Sequence, residues 1–115
     1  MTTRVTLRLD FDDRRRLGPG KIALLEAIRD TGSISAAGRA HRMSYRRAWL
    51  LVEDMNRMFS KPLVLARPGG AKGGGASLTQ VGDSVVALYR EAERETRRGA
   101  SAAIARIEKA LAAAQ

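Results

Sequence analysis

The 115-residue sequence contains no cysteine, one histidine and only five aromatic residues. Without cysteine there is no disulfide and no thiolate metal site. A single His41 among scattered carboxylates supplies no recognisable metal-ligand set and no Ser–His–acid or Cys–His arrangement for nucleophilic catalysis. The expectation is no metal, no cofactor, no catalytic residues and no enzymatic activity, with His41 an inert residue at a helix end. No apolar run approaches the roughly 18–20 residues of a membrane span. The opening MTTRVTLRLD lacks the continuous apolar stretch of a signal peptide. A cytoplasmic protein without a membrane partner is therefore expected.

What the chain has in excess is positive charge, a formal +9. It is unevenly spread. Residues 1–78 carry 15 Lys/Arg against 7 Asp/Glu, and residues 79–115 carry 6 against 5. A basic N-terminal two-thirds is the electrostatic footprint of a nucleic-acid-binding unit, although anionic lipid answers to the same charge. Hydrophobic residues make up 44% and charged residues 29%, a globular composition. The length suits one core with one long appended element.

Val5, Leu7, Leu9 and Phe11 alternate with Arg4, Thr6, Arg8 and Asp10, which predicts a strand over 4–11 with one buried face. A charged loop follows over 12–18. Pro19 suits the first turn of a helix that Gly32 ends. Ser33 is an N-cap for a short, small-residue helix over Ile34 to about His41, and Ser44 for a third helix to about Phe59. Leu63 to Ala66 and Ser77-Leu78 read as strands around the glycine-rich stretch RPGGAKGGGA. Gly69 and Gly74 have phosphate-loop spacing, but Gly75 stands where that loop needs lysine, so nucleotide binding is not expected. Thr79 caps a final helix expected to reach about residue 113, with Gly99 as a candidate bend. The order predicts a mainly α chain with a small β-sheet. The fold class is a winged helix-turn-helix over 1–78, followed by a long dimerisation helix over 79–115.

A DNA-reading helix offers its N-terminal residues to base edges in the major groove. With Ala48, Val52 and Met55 inward, the outward residues are Tyr45, Arg46, Trp49 and Leu50, with Arg47 beside them. Arg46 and Arg47 suit guanine O6/N7 or phosphate. Ser33, Ser35 and Ser44 suit phosphate contacts. Trp49 or Tyr45 suits a thymine methyl or a sugar, and for Trp49 packing in the core or a dimer is an equal alternative. The stripe including Val85, Leu88, Tyr89, Ala92, Ile104, Ile107 and Leu111 outruns a small domain, and a second copy is its expected partner.

The stretches GSIS (32–35), MSYRRAW (43–49), EDMN (53–56), LVLAR (63–67) and GGAKGGGASLTQVG (69–82) resemble the N-terminal domain of ModE-type molybdate-responsive regulators. A more distant similarity is to the DNA-binding domain of LysR-type regulators, which lacks that glycine run. The ModE resemblance implies a homodimer on a palindromic double-stranded operator, helix 44–59 in the major groove, and a wing contacting DNA through Arg67 and Lys72. It further implies control of molybdate-transport or molybdenum-enzyme genes. ModE regulators continue into molybdate-binding domains for which no sequence remains here. A stand-alone regulator that does not itself bind molybdate is the expectation. An architectural, nucleoid-type DNA coat and a protein-interaction module built on the long helix stand as alternatives.

Overall fold

The computed structural model describes residues 3–67 and 75–113. Two short antiparallel sheets and four helices follow one another along the chain: β1 (Leu9–Asp10), β2 (Arg16–Leu17), α1 (Pro19–Thr31), α2 (Ile34–Ala40), α3 (Tyr45–Met58), β3 (Val64–Arg67), β4 (Gly75–Leu78) and α4 (Gln80–Lys109). The chain is mainly helical.

The helix boundaries have local causes. Pro19 opens α1 without sacrificing a hydrogen bond, and Gly32 closes it at φ 70°, donating its N–H to Ile28 O. Ser33, Ser44 and Thr79 each accept a backbone N–H three residues on, from Ala36, Arg47 and Gly82. Helix α4 ends at Lys109 rather than near residue 113, and runs unbroken through Gly99.

The N-terminus differs from the strand expected over 4–11. Only Leu9–Asp10 pairs, and its partner is Arg16–Leu17, inside the stretch read as loop. Asp12 makes the turn: its Oδ1 accepts from the N–H groups of Arg14 and Arg15, and its Oδ2 from Arg15 Nε. Those bonds hold the Asp12 carboxyl down at about 2. Val5, Leu7 and Leu9 are still half-buried and their neighbours exposed, so the alternation marks burial without a ladder. Phe11 ends up half-exposed, edge-to-face with Phe59.

One core cluster runs from Leu17 to Tyr89 and unites all the helices. Ile22, Leu24, Leu25 and Ile28 of α1 are fully buried, against Met55 of α3 and Leu63 ahead of β3. Each such side chain contributes about 1.5–3 kcal/mol over leaving it exposed. The first three turns of α4 belong to this core through Val86 and Tyr89, whose hydroxyl donates to Leu7 O at 2.5 Å. Arg90 then clamps α4 to α1 through two hydrogen bonds to Glu26, at 2.6 and 3.1 Å. That pairing holds the Glu26 carboxyl below its ordinary value against the opposing effect of burial. Beyond Glu93 the helix is largely exposed, touched near its end by Thr3, which donates to Glu108. At 1.5 Å per residue, α4 is about 45 Å long, which accounts for most of the molecule's 59 Å length.

Candidate nucleic-acid interface

Helices α2 and α3 meet closely because both contribute small residues. A Cβ added at Gly38 would stand 3.0 Å from Ala48 Cβ, a contact that requires its neighbour to give by a few tenths of an ångström. Ala48, Val52, Met55 and Met58 form the inner face of α3. The outer face follows: Tyr45 is 57% exposed and Leu50 50%, with Arg46 and Arg47 exposed between them. Ser44, Arg46, Arg47, Leu50, Leu51 and Asp54 line an open groove of about 360 Å³ on this face. Its floor is anchored from behind, since Asp54 pairs with Lys21 of α1 at 3.2 Å.

The sequence-selected residues divide into several groups. Tyr45, Arg46, Arg47 and Leu50 lie together on the exposed N-terminal half of α3. Trp49 is half-buried, packs against the core and meets the Tyr45 ring edge-to-face at 6.1 Å. The oxygens of Ser33 and Ser44 accept the capping N–H groups, and Ser35 Oγ accepts from Arg39 Nη1 at 2.9 Å. A hydroxyl that accepts still has its own proton to donate, so capping serines retain a hydrogen bond for an anion. Arg67 is exposed at the end of β3. Lys72 and most of the glycine-rich stretch lie outside the described residues.

The β3–β4 hairpin is tied to this face by Asn56, which the sequence reading noted only within the EDMN run. Its Oδ1 accepts from Leu63 N–H and Val64 N–H, and its Nδ2 donates to Val64 O. One side chain of α3 thus sets the start of β3. On the other strand, Ala76 donates to Gly32 O, at the junction of α1 and α2. The register is Val64 opposite Leu78 through Arg67 opposite Gly75.

Positive charge gathers at the α2–α3 turn. Ion pairs among the described residues engage Arg8, Arg15, Arg16, Lys21, Arg29, Arg90 and Arg98. Arg39, Arg42, Arg46 and Arg47 are not among them. The four cations around the α2–α3 turn are thus outside the ion pairs among the described residues, as are nine others elsewhere; what sets the turn apart is that four such arginines fall within residues 39–47. Among the described residues no group of three or more His, Cys, Asp or Glu can hold a metal ion, and no helix is long and apolar enough to cross a membrane.

The residues expected at a dimer interface share a side of α4 but differ in exposure. Tyr89 is a correction: at 3% exposure it fills the chain's own core, where the first turns of α4 need an anchor, so it is not offered to a partner. Val85 is half-buried against the same core. Ala92 and Ile104 are half-buried, Leu88 is 61% and Ile107 65% exposed, and Leu111 lies past the helix end.

No family model matches the chain. Individual proteins do. Over 74 residues it is 50% identical to the molybdenum-pterin-binding protein MopB of Rhodobacter capsulatus, which covers 64% of this chain and 27% of MopB. Over 89 residues it is 42% identical to the molybdenum transport protein ModE of Azotobacter vinelandii, 77% of this chain and 33% of that one. The DNA-binding transcriptional dual regulator ModE of Escherichia coli (strain K12) is 35% identical over 89 residues, 77% of this chain and 34% of the regulator. Homologues of the chain are thus ModE regulators and Mop proteins. The chain spans about a third of the length of these curated relatives.

Proposed function

We propose that the chain is a sequence-specific, double-stranded-DNA-binding transcription regulator of the ModE type. In this reading α2 and α3 are a helix-turn-helix, α3 is the recognition helix and the β3–β4 hairpin is the wing. The observation that carries the reading is the outward N-terminal half of α3. It combines two arginines outside the ion pairs among the described residues, Leu50 at the groove with Tyr45 exposed beside it, and an adjoining hairpin whose first strand is anchored by Asn56. Arginine forks recognise guanine edges or phosphate, and apolar side chains recognise thymine methyl groups. The similarity to proteins named as transcriptional regulators supports the same reading. Regulation of molybdenum-related genes is the corresponding proposal for targets.

The deciding experiment is selection of bound duplexes from a random pool at near-physiological salt, where nonspecific binding has faded. An enriched palindrome is the expected result. Retained salt-sensitive binding without enrichment would leave an architectural DNA coat, and no binding to any duplex would defeat the reading.

We further propose that the protein acts as a homodimer through the exposed side of α4, with Leu88 near its start and Ile107 near its end as the apolar contacts. A 30-residue helix whose last turns contact little of their own chain gains apolar burial only from another surface. Ile107→Glu is expected to convert a sedimenting dimer to monomer and to leave the circular dichroism unchanged. An unaltered mass would place the interface elsewhere.

A second reading follows from the name of MopB. Half the aligned residues are identical, and this weighs against the expectation that the chain does not bind molybdate directly. Equilibrium dialysis against molybdate separates the cases, since saturable binding by the full chain would make it a sensor as well as a DNA reader.

A further inference from the structure

Among the described residues, Arg42 alone combines a side chain with a left-handed backbone, at φ 57°. It sits where α2 gives way to α3. Its N–H donates to Arg39 O at 3.1 Å, and the next N–H, of Met43, reaches back to Gly38 O at 3.0 Å. This pair of bonds is the helix-ending motif whose left-handed position normally belongs to glycine, because a Cβ there crowds the following carbonyl. The chain follows the norm at the end of α1, where Gly32 takes φ 70°. At the α2–α3 turn it carries arginine instead.

Those two bonds hold the backbone in place, and the side chain, which is exposed, makes no ion pair among the described residues to add to them. Residues held in strained conformations persist where the surrounding structure determines them, and they cluster at functional sites. Arg42 lies two residues ahead of Ser44, the cap of α3, and so flanks the end of the helix assigned to the major groove. A cation flanking a groove-entering helix meets the sugar–phosphate backbone rather than base edges.

We infer that Arg42 is a phosphate-contacting residue of the DNA interface, held in a left-handed conformation at the expense of stability. The inference rests on the DNA-binding reading above and adds to it a residue outside α3. Because a phosphate contact is indifferent to sequence, its test needs no operator.

The test is titration of a mixed-sequence 30-base-pair duplex with the full chain over a salt series, for the wild type, Arg42→Gly, Arg42→Asn and Arg42→Lys. Thermal melting of each variant accompanies it. Arg42→Gly is expected to raise Tm by about 4 °C, because the strain is gone. It is also expected to weaken duplex binding about tenfold and to reduce the slope of log K against log salt by about 0.9. Arg42→Asn, uncharged and tolerant of the left-handed region, gives the same binding loss. Arg42→Lys keeps the wild-type slope. Glycine and asparagine variants with wild-type affinity and slope would overturn the inference and leave the DNA reading standing. A lower Tm for Arg42→Gly would overturn its premise of strain. A wild type that binds no duplex even at low salt would remove the DNA reading, and the inference with it.

Discussion

Gly82→Ala is expected to destabilise the chain by about 3 kcal/mol, lowering Tm by roughly 10–20 °C. The cause is distance rather than dihedral freedom. The first turn of α4 lies directly on the backbone of Leu63, and a Cβ added at Gly82 would stand 2.2 Å from Leu63 O. That carbonyl cannot retreat, because it accepts Thr79 N–H at 2.9 Å and Leu63 N–H is held by Asn56. Relief would require α4 and β3 to separate, loosening Val86 and Tyr89 from the core at the same time. Gly99→Ala supplies the contrast in the same helix. Nothing lies within 4 Å of its added Cβ, and alanine there should stabilise by about 0.5–1 kcal/mol through helix propensity alone. Urea denaturation of the two variants checks both signs, and a mild effect at Gly82 would show that the α4–β3 junction yields more easily than its hydrogen bonds imply.

The helices were legible because their ends are chemical. Ser33, Ser44 and Thr79 announce starts and Gly32 a stop through bonds made within one turn of themselves, and Pro19 announces a start through its fixed φ and missing N–H. The N-terminal hairpin was not, because period-two alternation reports which side chains are buried, and a strand also needs a partner. Val5 and Leu7 are half-buried without one. The partner strand, Arg16–Leu17, is too short and too charged to stand out from its loop. Asp12, opening the run DDRRR, was the available signal, since an aspartate that accepts the N–H groups two and three residues on closes a tight turn.

The exposed face of α3, the candidate interface, was legible in its sequence-local part. Tyr45, Arg46, Arg47 and Leu50 follow from the inward positions of α3 by helical geometry alone. Three features depend on where other elements lie. Trp49 sits at the boundary between faces, and only the packing of the core shows it half-buried. Tyr89 shares its spacing with the stripe of α4, yet the domain's own body reaches that far along the helix and claims it. Asn56 looks like any surface residue of a helix until β3 is laid against it. Arg42 was visible only as a break between helices, because a backbone dihedral has no residue-type signature when glycine is absent.

The second large effect belongs to the outer face of α3. The double variant Arg46→Ala/Arg47→Ala is expected to lose about 3–5 kcal/mol of affinity for a selected operator, a factor of 100 or more. Neither side chain makes an ion pair within the described chain, and alanine is the better helix former, so the fold should survive unchanged. The bond from Arg47 N–H to Ser44 Oγ also survives, because it belongs to the backbone. Loss of binding is thus separable from loss of structure, which circular dichroism verifies on the same sample. The single variants then distinguish roles. A base-reading arginine, on truncation, relaxes discrimination at one base pair by about 1–3 kcal/mol and leaves the others alone. A phosphate-contacting arginine weakens every sequence equally and takes about 0.9 from the salt slope. Arg46 is expected to behave in the first way, being one residue deeper into the N-terminal turn beside Tyr45, and Arg47 in the second, beside the Ser44 hydroxyl. Wild-type affinity in the double variant would mean that α3 does not face the DNA at all, and the exposed arginines would then be a solvated helix surface.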